Sequence, residues 1–164
     1  MTGELKHELF DPLKIIEIAK AAGSEILEVY GKKDFKIEIK EDDSPVTEAD
    51  FRSNNVILQG LRSHVPAIPI ISEETEMDKS ASIKMINDER RFWLVDPLDG
   101  TKGFINRTDE FCVCIGFVED GVAKDGFIFD PVNKISYIGL GGLGAFKEEN
   151  GKIEKINVRK TPES

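Results

Sequence analysis

Hydrophobic spacing changes from helical to alternating along this chain. In the first third, apolar residues recur every three or four positions in two long segments, the first opened by Asp11-Pro12 and closed by Gly31. In the last third, short alternating segments are separated by turn sequences such as Glu119-Asp120-Gly121 and Glu149-Asn150-Gly151. A polar, acidic segment over 73–90 predicts a loop with a weak helix. The predicted helices cover residues 11–30 and 47–62, with a short one opening at 100–105, and the predicted strands cover 35–40, 68–71, 92–95, 111–118, 122–129, 135–140, 145–147 and 153–158.

The order of these elements indicates the fold class. Helical segments come first and a strand meander follows, which is typical of an α+β domain, an antiparallel β-sheet with helices packed on one face. A chain of 164 residues is one domain by length and can bury a sizeable core. Within it, alternation over 35–40 predicts a half-buried strand, and the acidic stretch 41–45 predicts a loop.

Charge and composition narrow the classes of partner. The chain carries 22 Lys and Arg against 31 Asp and Glu, a formal net charge of −9, whereas nucleic-acid binding favours a basic surface. No segment reaches the ~18 apolar residues of a transmembrane helix, and the charged N-terminus lacks the apolar region of a secretory signal. We therefore expect a cytoplasmic protein with small-molecule partners and no nucleic acid, and its oligomeric state stays open.

Two cysteines, Cys112 and Cys114, lie in an alternating strand segment and therefore point to the same side of that strand. A structural zinc site uses four Cys or His ligands, and no further pair accompanies these two. We expect reduced thiols that pack in the core as small hydrophobic side chains.

The sequence Asp96-Pro97-Leu98-Asp99 carries the strongest candidate chemistry. It follows a compact apolar strand, and Pro97 is expected to end that strand and force a turn. The carboxylates of Asp96 and Asp99 and the Leu98 carbonyl can then converge, which gives an all-oxygen set of the kind that Mg²⁺ prefers. The alternative is that both aspartates only cap a turn, because this sequence is also ordinary turn chemistry.

Five further residues extend this candidate site. Gly100 and Thr101 open the short helix that follows, where free N–H groups suit a phosphate. Glu73 and Glu74 come directly after an apolar strand and are candidates for a further metal ligand, the alternative being a solvated loop. Asp50 stands three residues after a threonine, so its carboxylate serves either a site or only the start of the second helix, as in a capping box.

Three segments together resemble one family. Pro45–Asp50, Ile71–Glu74 and Trp93–Phe104 are similar to the V-T-x-A-D, E-E and D-P-[LI]-D-G-T motifs of the inositol-monophosphatase-like superfamily of Mg²⁺-dependent, lithium-sensitive phosphatases. The continuation Thr101-Lys102-Gly103-Phe104 resembles its 3'(2'),5'-bisphosphate nucleotidase (CysQ-type) branch. The resemblance implies that the α+β sheet is the N-terminal half of the layered αβαβα sugar-phosphatase fold. It further implies that residues 1–164 are the N-terminal catalytic, metal-binding domain, since no later segment matches the W-D-x-A-A motif of the family's C-terminal domain.

The family's roles, carried onto this sequence, fall on the residues singled out above. The implied Mg²⁺ ligands, for two or three ions per site, are Glu73, Asp96, the Leu98 carbonyl and Asp99, with Glu74 in support. The implied catalytic pair is Asp50 and Thr101, which orient the attacking water, and the implied phosphate-binding amides are those of Gly100 and Thr101.

The branch implies a substrate and a reaction. Adenosine 3',5'-bisphosphate is expected to lose its 3'-phosphate to give AMP and phosphate, within the nucleotide recycling of sulfate assimilation, and the related sulfated nucleotide is a second candidate substrate. An isolated N-terminal half is expected to have little activity. The alternatives are an inositol or other sugar monophosphatase and a non-catalytic domain that binds metal or a partner.

Overall fold

Four helices and nine strands follow one another in the computed structural model, which describes residues 5–40, 44–75 and 79–159. In chain order they are α1 (Pro12–Tyr30), β1 (Ile37–Ile39), β2 (Pro45–Thr47), α2 (Glu48–His64), β3 (Ile70–Ser72), α3 (Lys79–Asp88), β4 (Arg91–Asp99), α4 (Thr101–Asn106), β5 (Cys112–Glu119), β6 (Val122–Asp130), β7 (Ile135–Leu140), β8 (Gly144–Glu149) and β9 (Lys152–Ile156).

The main sheet has seven strands in the order β3-β4-β5-β6-β7-β8-β9. From β4 onward every neighbouring pair is antiparallel, as the meander predicts. β3 differs, because the chain between β3 and β4 crosses over through α3 and the two strands then run parallel, with Ile70 opposite Trp93. The α+β prediction is therefore confirmed, with one parallel pair at the edge of the sheet.

α1 and α2 pack side by side on one face of the sheet and bury their apolar stripes against its centre. α1 begins as predicted, with Pro12 in its first turn and the Asp11 carboxylate accepting a hydrogen bond from the Leu13 amide at 2.9 Å. The largest fully buried side chains are aromatic and come from β4, α4, β5 and β6: Trp93, Phe104, Phe117 and Phe127. Among the described residues, no helix is long and apolar enough to cross a membrane.

The short helix α3 departs from the prediction that all helices lie on one face. Its Met85 packs against a separate small cluster of Ile71, Phe92 and Val118. Phe92 precedes the core residue Trp93, and successive residues of a strand point to opposite faces. α3 therefore covers the outer face of the sheet at its β3–β4 end.

The predicted half-buried strand over 35–40 is wrong in its burial. β1 pairs only with β2, in a separate two-stranded sheet, so Ile37 and Ile39 are 46% and 64% exposed. Only Phe35 reaches the core, where its ring lies 5.1 Å from that of Phe104. Of the predicted loop 41–45, residues 41–43 lie outside the described residues, and Pro45 begins β2.

Candidate functional site

A β-bulge brings the two aspartates of the central motif onto one face. The prediction that the strand ends at Pro97 is wrong, because β4 continues to Asp99. Asp96 lies opposite Cys114 and Asp99 opposite Cys112, so three steps along β4 match two along β5. Residues three apart in a regular strand point to opposite faces, whereas the extra residue of a bulge places both side chains on the same one. Both carboxylates therefore lie on the outer face of the sheet, away from α1 and α2.

Glu73 reaches Asp96 because β3 and β4 are parallel. The Glu73 amide donates to the Val95 carbonyl at 3.1 Å, which continues the pairing one residue beyond β3. Burial, followed by the charges of Glu73 and Asp99, raises the pKa of Asp96 to about 7. Carboxylates crowded in this way repel one another unless a cation lies between them, and an oxygen donor set is what Mg²⁺ requires. The residues present therefore fit a magnesium ion.

Asp50 uses its two carboxylate oxygens for two different contacts. Oδ2 accepts hydrogen bonds from the Thr47 amide at 2.8 Å and the Thr47 hydroxyl at 2.7 Å, which completes a capping box at the start of α2. Oδ1 faces the hydroxyl of Thr101 at 3.3 Å. Burial raises the pKa of Asp50, and the hydrogen bonds from Thr47 and Thr101 oppose that rise. The capping interpretation and the contact with Thr101 thus both describe this residue.

The start of α4 is held tightly against the chain before β5. Gly100 has a left-handed backbone, with φ of 92°, and a Cβ at Gly100 or Gly103 would lie 2.5 or 2.4 Å from the Glu110 carbonyl oxygen. Thr101 begins the helix, and its hydroxyl also lies 3.2 Å from the Leu98 carbonyl oxygen. α4 therefore begins at Thr101 with Gly100 as its N-cap, as predicted, and it follows directly after the bulge.

Lys40 is a site residue that the sequence pattern does not reveal. Its ammonium lies 2.9 Å from Glu73 Oε1 and 2.6 Å from Glu74 Oε1. The Glu74 side chain is only 5% exposed, against 51% for Glu73, and burial raises the pKa of Glu74 while Lys40 opposes the rise. Lys40 is thus the cation that partners the Glu pair in this structure. In the sequence it appears only as one more charged residue in an alternating segment.

Two buried polar side chains of α2 hold the site together. The Ser53 hydroxyl donates to the Pro97 carbonyl at 2.7 Å, and the Ser72 hydroxyl donates to Asn54 Oδ1 at 2.7 Å. These bonds fix α2 to the bulge and to the end of β3. The sequence does hold a signal for these residues. Asp50, Ser53 and Asn54 are polar, but their spacing places them on the same buried face of α2 as Ile57.

The two cysteines share a face, as predicted, but not the core face. They lie on the outer side of β5, half-buried, with their sulfurs 3.6 Å apart and the Cys112 sulfur 4.0 Å from Asp99 Oδ2. A hydrogen bond between the thiols lowers the pKa of Cys112 and raises that of Cys114. The expectation of core thiols is therefore wrong, because residues 112 and 114 follow the face of the bulged aspartates and not that of Val113.

Comparison with known proteins gives consistent matches over nearly the whole chain. The inositol monophosphatase family profile matches residues 11–164. The chain is 43% identical over 147 residues to the 3'(2'),5'-bisphosphate nucleotidase CysQ of Salmonella typhimurium, which covers 89% of this chain and 58% of that protein. The chain therefore spans less than two thirds of the length of this curated relative.

Solved structures agree with the sequence matches. CysQ from Bacteroides thetaiotaomicron, a bacterial member of the inositol monophosphatase family, superposes with a TM-score of 0.71 at 36% identity, over 90% of this chain and 52% of that one. The Thermotoga maritima IMPase superposes with a TM-score of 0.73 at 28% identity, over 88% and 52%.

Proposed function

Because the chain belongs to the inositol monophosphatase family, we propose that it forms the N-terminal, metal-binding domain of a 3'(2'),5'-bisphosphate nucleotidase. The proposed reaction removes the 3'-phosphate of adenosine 3',5'-bisphosphate and gives AMP and phosphate. The proposed setting is cytoplasmic nucleotide recycling in sulfate assimilation. The chain spans 58% of the length of the Salmonella relative, and the activity is proposed for an enzyme that contains this domain.

The observation that carries this proposal is the placement of three carboxylates around the bulge. Asp96 and Asp99 share the outer face, and Glu73 adjoins Asp96 closely enough to raise its pKa. Together with the Leu98 carbonyl they are the proposed Mg²⁺ ligands, and Glu74 supports Glu73 through their shared partner Lys40. These residues would hold Mg²⁺, which would supply neutralisation of the phosphate charge and polarisation of a water molecule, the chemistry that phosphoryl transfer needs most.

Asp50 and Thr101 are proposed to position and deprotonate the attacking water. The Thr101 hydroxyl has one proton and two acceptors, Asp50 Oδ1 at 3.3 Å and the Leu98 oxygen at 3.2 Å. Donation to Asp50 leaves the Leu98 carbonyl free for a cation and leaves the Thr101 oxygen free to accept a hydrogen bond from water. The raised pKa of Asp50 makes its Oδ1 a competent proton acceptor through this relay.

The backbone at the start of α4 is proposed to hold the scissile phosphate. Amides in the first turn of a helix have no partner within the helix and suit a phosphate oxygen. The close approach of the Glu110 carbonyl requires glycine at 100 and 103, which keeps the backbone of this turn free of side chains at both positions.

The test is phosphate release from adenosine 3',5'-bisphosphate and from inositol 1-phosphate. It uses this chain joined to the C-terminal half of the Salmonella relative, with the unfused chain assayed in parallel. Mg²⁺-dependent, Li⁺-sensitive hydrolysis that favours the bisphosphate is expected from the fusion. Asp50→Asn and Thr101→Ala should each lower kcat more than Mg²⁺ affinity, because both residues act on the water.

Two outcomes would contradict the proposal. Faster hydrolysis of inositol 1-phosphate would assign the fusion to the sugar monophosphatases. Mg²⁺ binding without turnover of either substrate would favour a non-catalytic metal-binding domain. Glu25→Gln is the matched control, because Glu25 lies on α1, where it pairs with Arg52 at 3.6 Å, and it should leave turnover unchanged.

A further inference from the structure

Beside the proposed magnesium ligands, the outer face carries a compact set of soft donors. Within residues 5–40, 44–75 and 79–159, Asp99, Cys112 and Cys114 are the one group of three His, Cys, Asp or Glu side chains whose ligand atoms all lie within 4.8 Å of one another. The sequence alone offers only a pair of thiols. The bulge supplies the third donor, since it turns Asp99 onto the face of the cysteines.

Two of the three distances within this set are close to those on one face of a tetrahedron. A tetrahedral Zn²⁺ with Zn–S bonds of about 2.3 Å and a Zn–O bond of about 2.1 Å holds two sulfurs about 3.8 Å apart and a sulfur and an oxygen about 3.6 Å apart. The corresponding distances are 3.6 Å between the sulfurs of Cys112 and Cys114, and 4.0 Å between Cys112 and Asp99 Oδ2. The third distance, between Cys114 and Asp99, is within 4.8 Å, so the three donors lie within reach of one Zn²⁺ after side-chain rotation.

We propose that Cys112, Cys114 and Asp99 bind one thiophilic divalent cation of the zinc class. Two thiolates and a carboxylate select Zn²⁺ or Cd²⁺ over Mg²⁺, because Mg²⁺ takes oxygen ligands and gains little from sulfur. Binding transfers the two thiol protons to solvent. Three protein ligands leave a fourth position for water, and the exposed Asp99 and half-buried thiols let the ion enter from solvent.

Sharing of Asp99 couples this site to the magnesium site. An Asp99 carboxylate bound to Zn²⁺ is withdrawn from the oxygen set around Asp96, so the two metals compete. This coupling rests on the proposed function, whereas the zinc site itself does not. Zinc at Cys112 and Cys114 would thus lower the affinity for Mg²⁺ without contacting a substrate.

Metal titration of the reduced full chain tests the proposal. We expect one Cd²⁺ or Zn²⁺ per chain by calorimetry, together with an ultraviolet sulfur-to-cadmium charge-transfer band. Cys112→Ser, Cys114→Ser and Asp99→Asn should each weaken binding by about 100-fold or more, because losing even an outer partner of a metal ligand costs about 10–100-fold. Bound Zn²⁺ should also protect both thiols of the unsubstituted chain from alkylation, which needs no variant to fold.

Asp130→Asn is the matched control. Asp130 acts on Cys112 only through its charge, while both of its carboxylate oxygens accept hydrogen bonds from Asn133. Its loss should change affinity by less than about threefold, because a charge that is not a ligand is screened by salt.

Several results would overturn parts or all of the inference. Absence of stoichiometric binding, or alkylation that Zn²⁺ does not slow, overturns the site. Metal binding that needs both cysteines but is unchanged by Asp99→Asn would show a site of two thiol ligands only, which overturns the three-ligand set. Zinc affinity that excess Mg²⁺ leaves unchanged overturns the sharing of Asp99, even where phosphate release supports the proposed function.

Discussion

Replacing Asp96 by asparagine should stabilise the metal-free protein above neutral pH. Burial, with Glu73 and Asp99 nearby, raises the pKa of Asp96 from 3.8 to about 7. The folded protein therefore holds this proton more tightly than the unfolded chain does, so stability falls as pH rises from the ordinary pKa to the raised one. A rise of about three pKa units corresponds to at most about 4 kcal/mol, and partial hydration and salt reduce this to about 1–2 kcal/mol.

Urea unfolding in the presence of EDTA measures this effect. Trp93 is the only tryptophan and is fully buried, so its fluorescence reports loss of the core. The unsubstituted chain should be less stable at about pH 8 than at about pH 5, and Asp96→Asn should remove about 1–2 kcal/mol of that difference. The two proteins should differ less at the lower pH, because only part of the range from 3.8 to about 7 has then been crossed, and they should be nearly equal only below the ordinary pKa of Asp96. Mg²⁺ should then stabilise the unsubstituted chain by mass action and leave Asp96→Asn nearly unaffected.

Asp34→Asn is the control for a general loss of negative charge, since Asp34 is an exposed carboxylate in the segment between α1 and β1. It should leave the pH dependence of the free energy of unfolding in place. Equal pH dependence in Asp96→Asn and the unsubstituted chain would refute the reasoning, because the electrostatic strain would then lie elsewhere.

Two further predictions concern the backbone around the site. Gly103→Ala should cost about 2–3 kcal/mol of stability, because its Cβ would lie 2.4 Å from the Glu110 carbonyl oxygen. The control Gly126→Ala, whose Cβ would have nothing within 4 Å, should change stability by no more than about 0.5 kcal/mol. Equal urea midpoints for the two variants would contradict the close approach at Gly103. Ser53→Ala should cost about 1–2 kcal/mol of stability, because it leaves the buried Pro97 carbonyl without its 2.7 Å hydrogen-bond donor. It should also weaken Mg²⁺ binding measured by calorimetry. Unchanged Mg²⁺ affinity would show that this hydrogen bond does not position the bulge.

Local sequence signals predicted much of this molecule correctly. Helical and alternating spacing, caps and turns are properties of a few neighbouring residues, so the helices, the meander and the start of α1 at Asp11 follow from them. The family resemblance is confirmed as well, because it rests on three separated motifs in register. The roles assigned to the individual site residues stay predictions.

The errors arise where long-range pairing decides the outcome. Pro97 ends a regular ladder, but β5 continues to pair beyond it, and only the register of that partner shows that Asp99 turns to the same face as Asp96. The burial of Ile37 likewise depends on whether β1 pairs within the main sheet or in the separate two-stranded sheet. Lys40 lies 33 residues from Glu73 in sequence, and no local pattern links the two.

The bulge in β4 also decides how this site could be transplanted into another protein. Two aspartates placed two residues apart on a regular strand would reproduce the shared face of the carboxylates. They would not reproduce the two available backbone oxygens. In a regular ladder these carbonyls pair with the neighbouring strand, whereas here the Pro97 and Leu98 carbonyls accept hydrogen bonds from Ser53 and Thr101. A designer who copies side chains alone would therefore obtain acids without the Leu98 carbonyl. The unit to graft is the bulged strand together with the helix whose serine holds it.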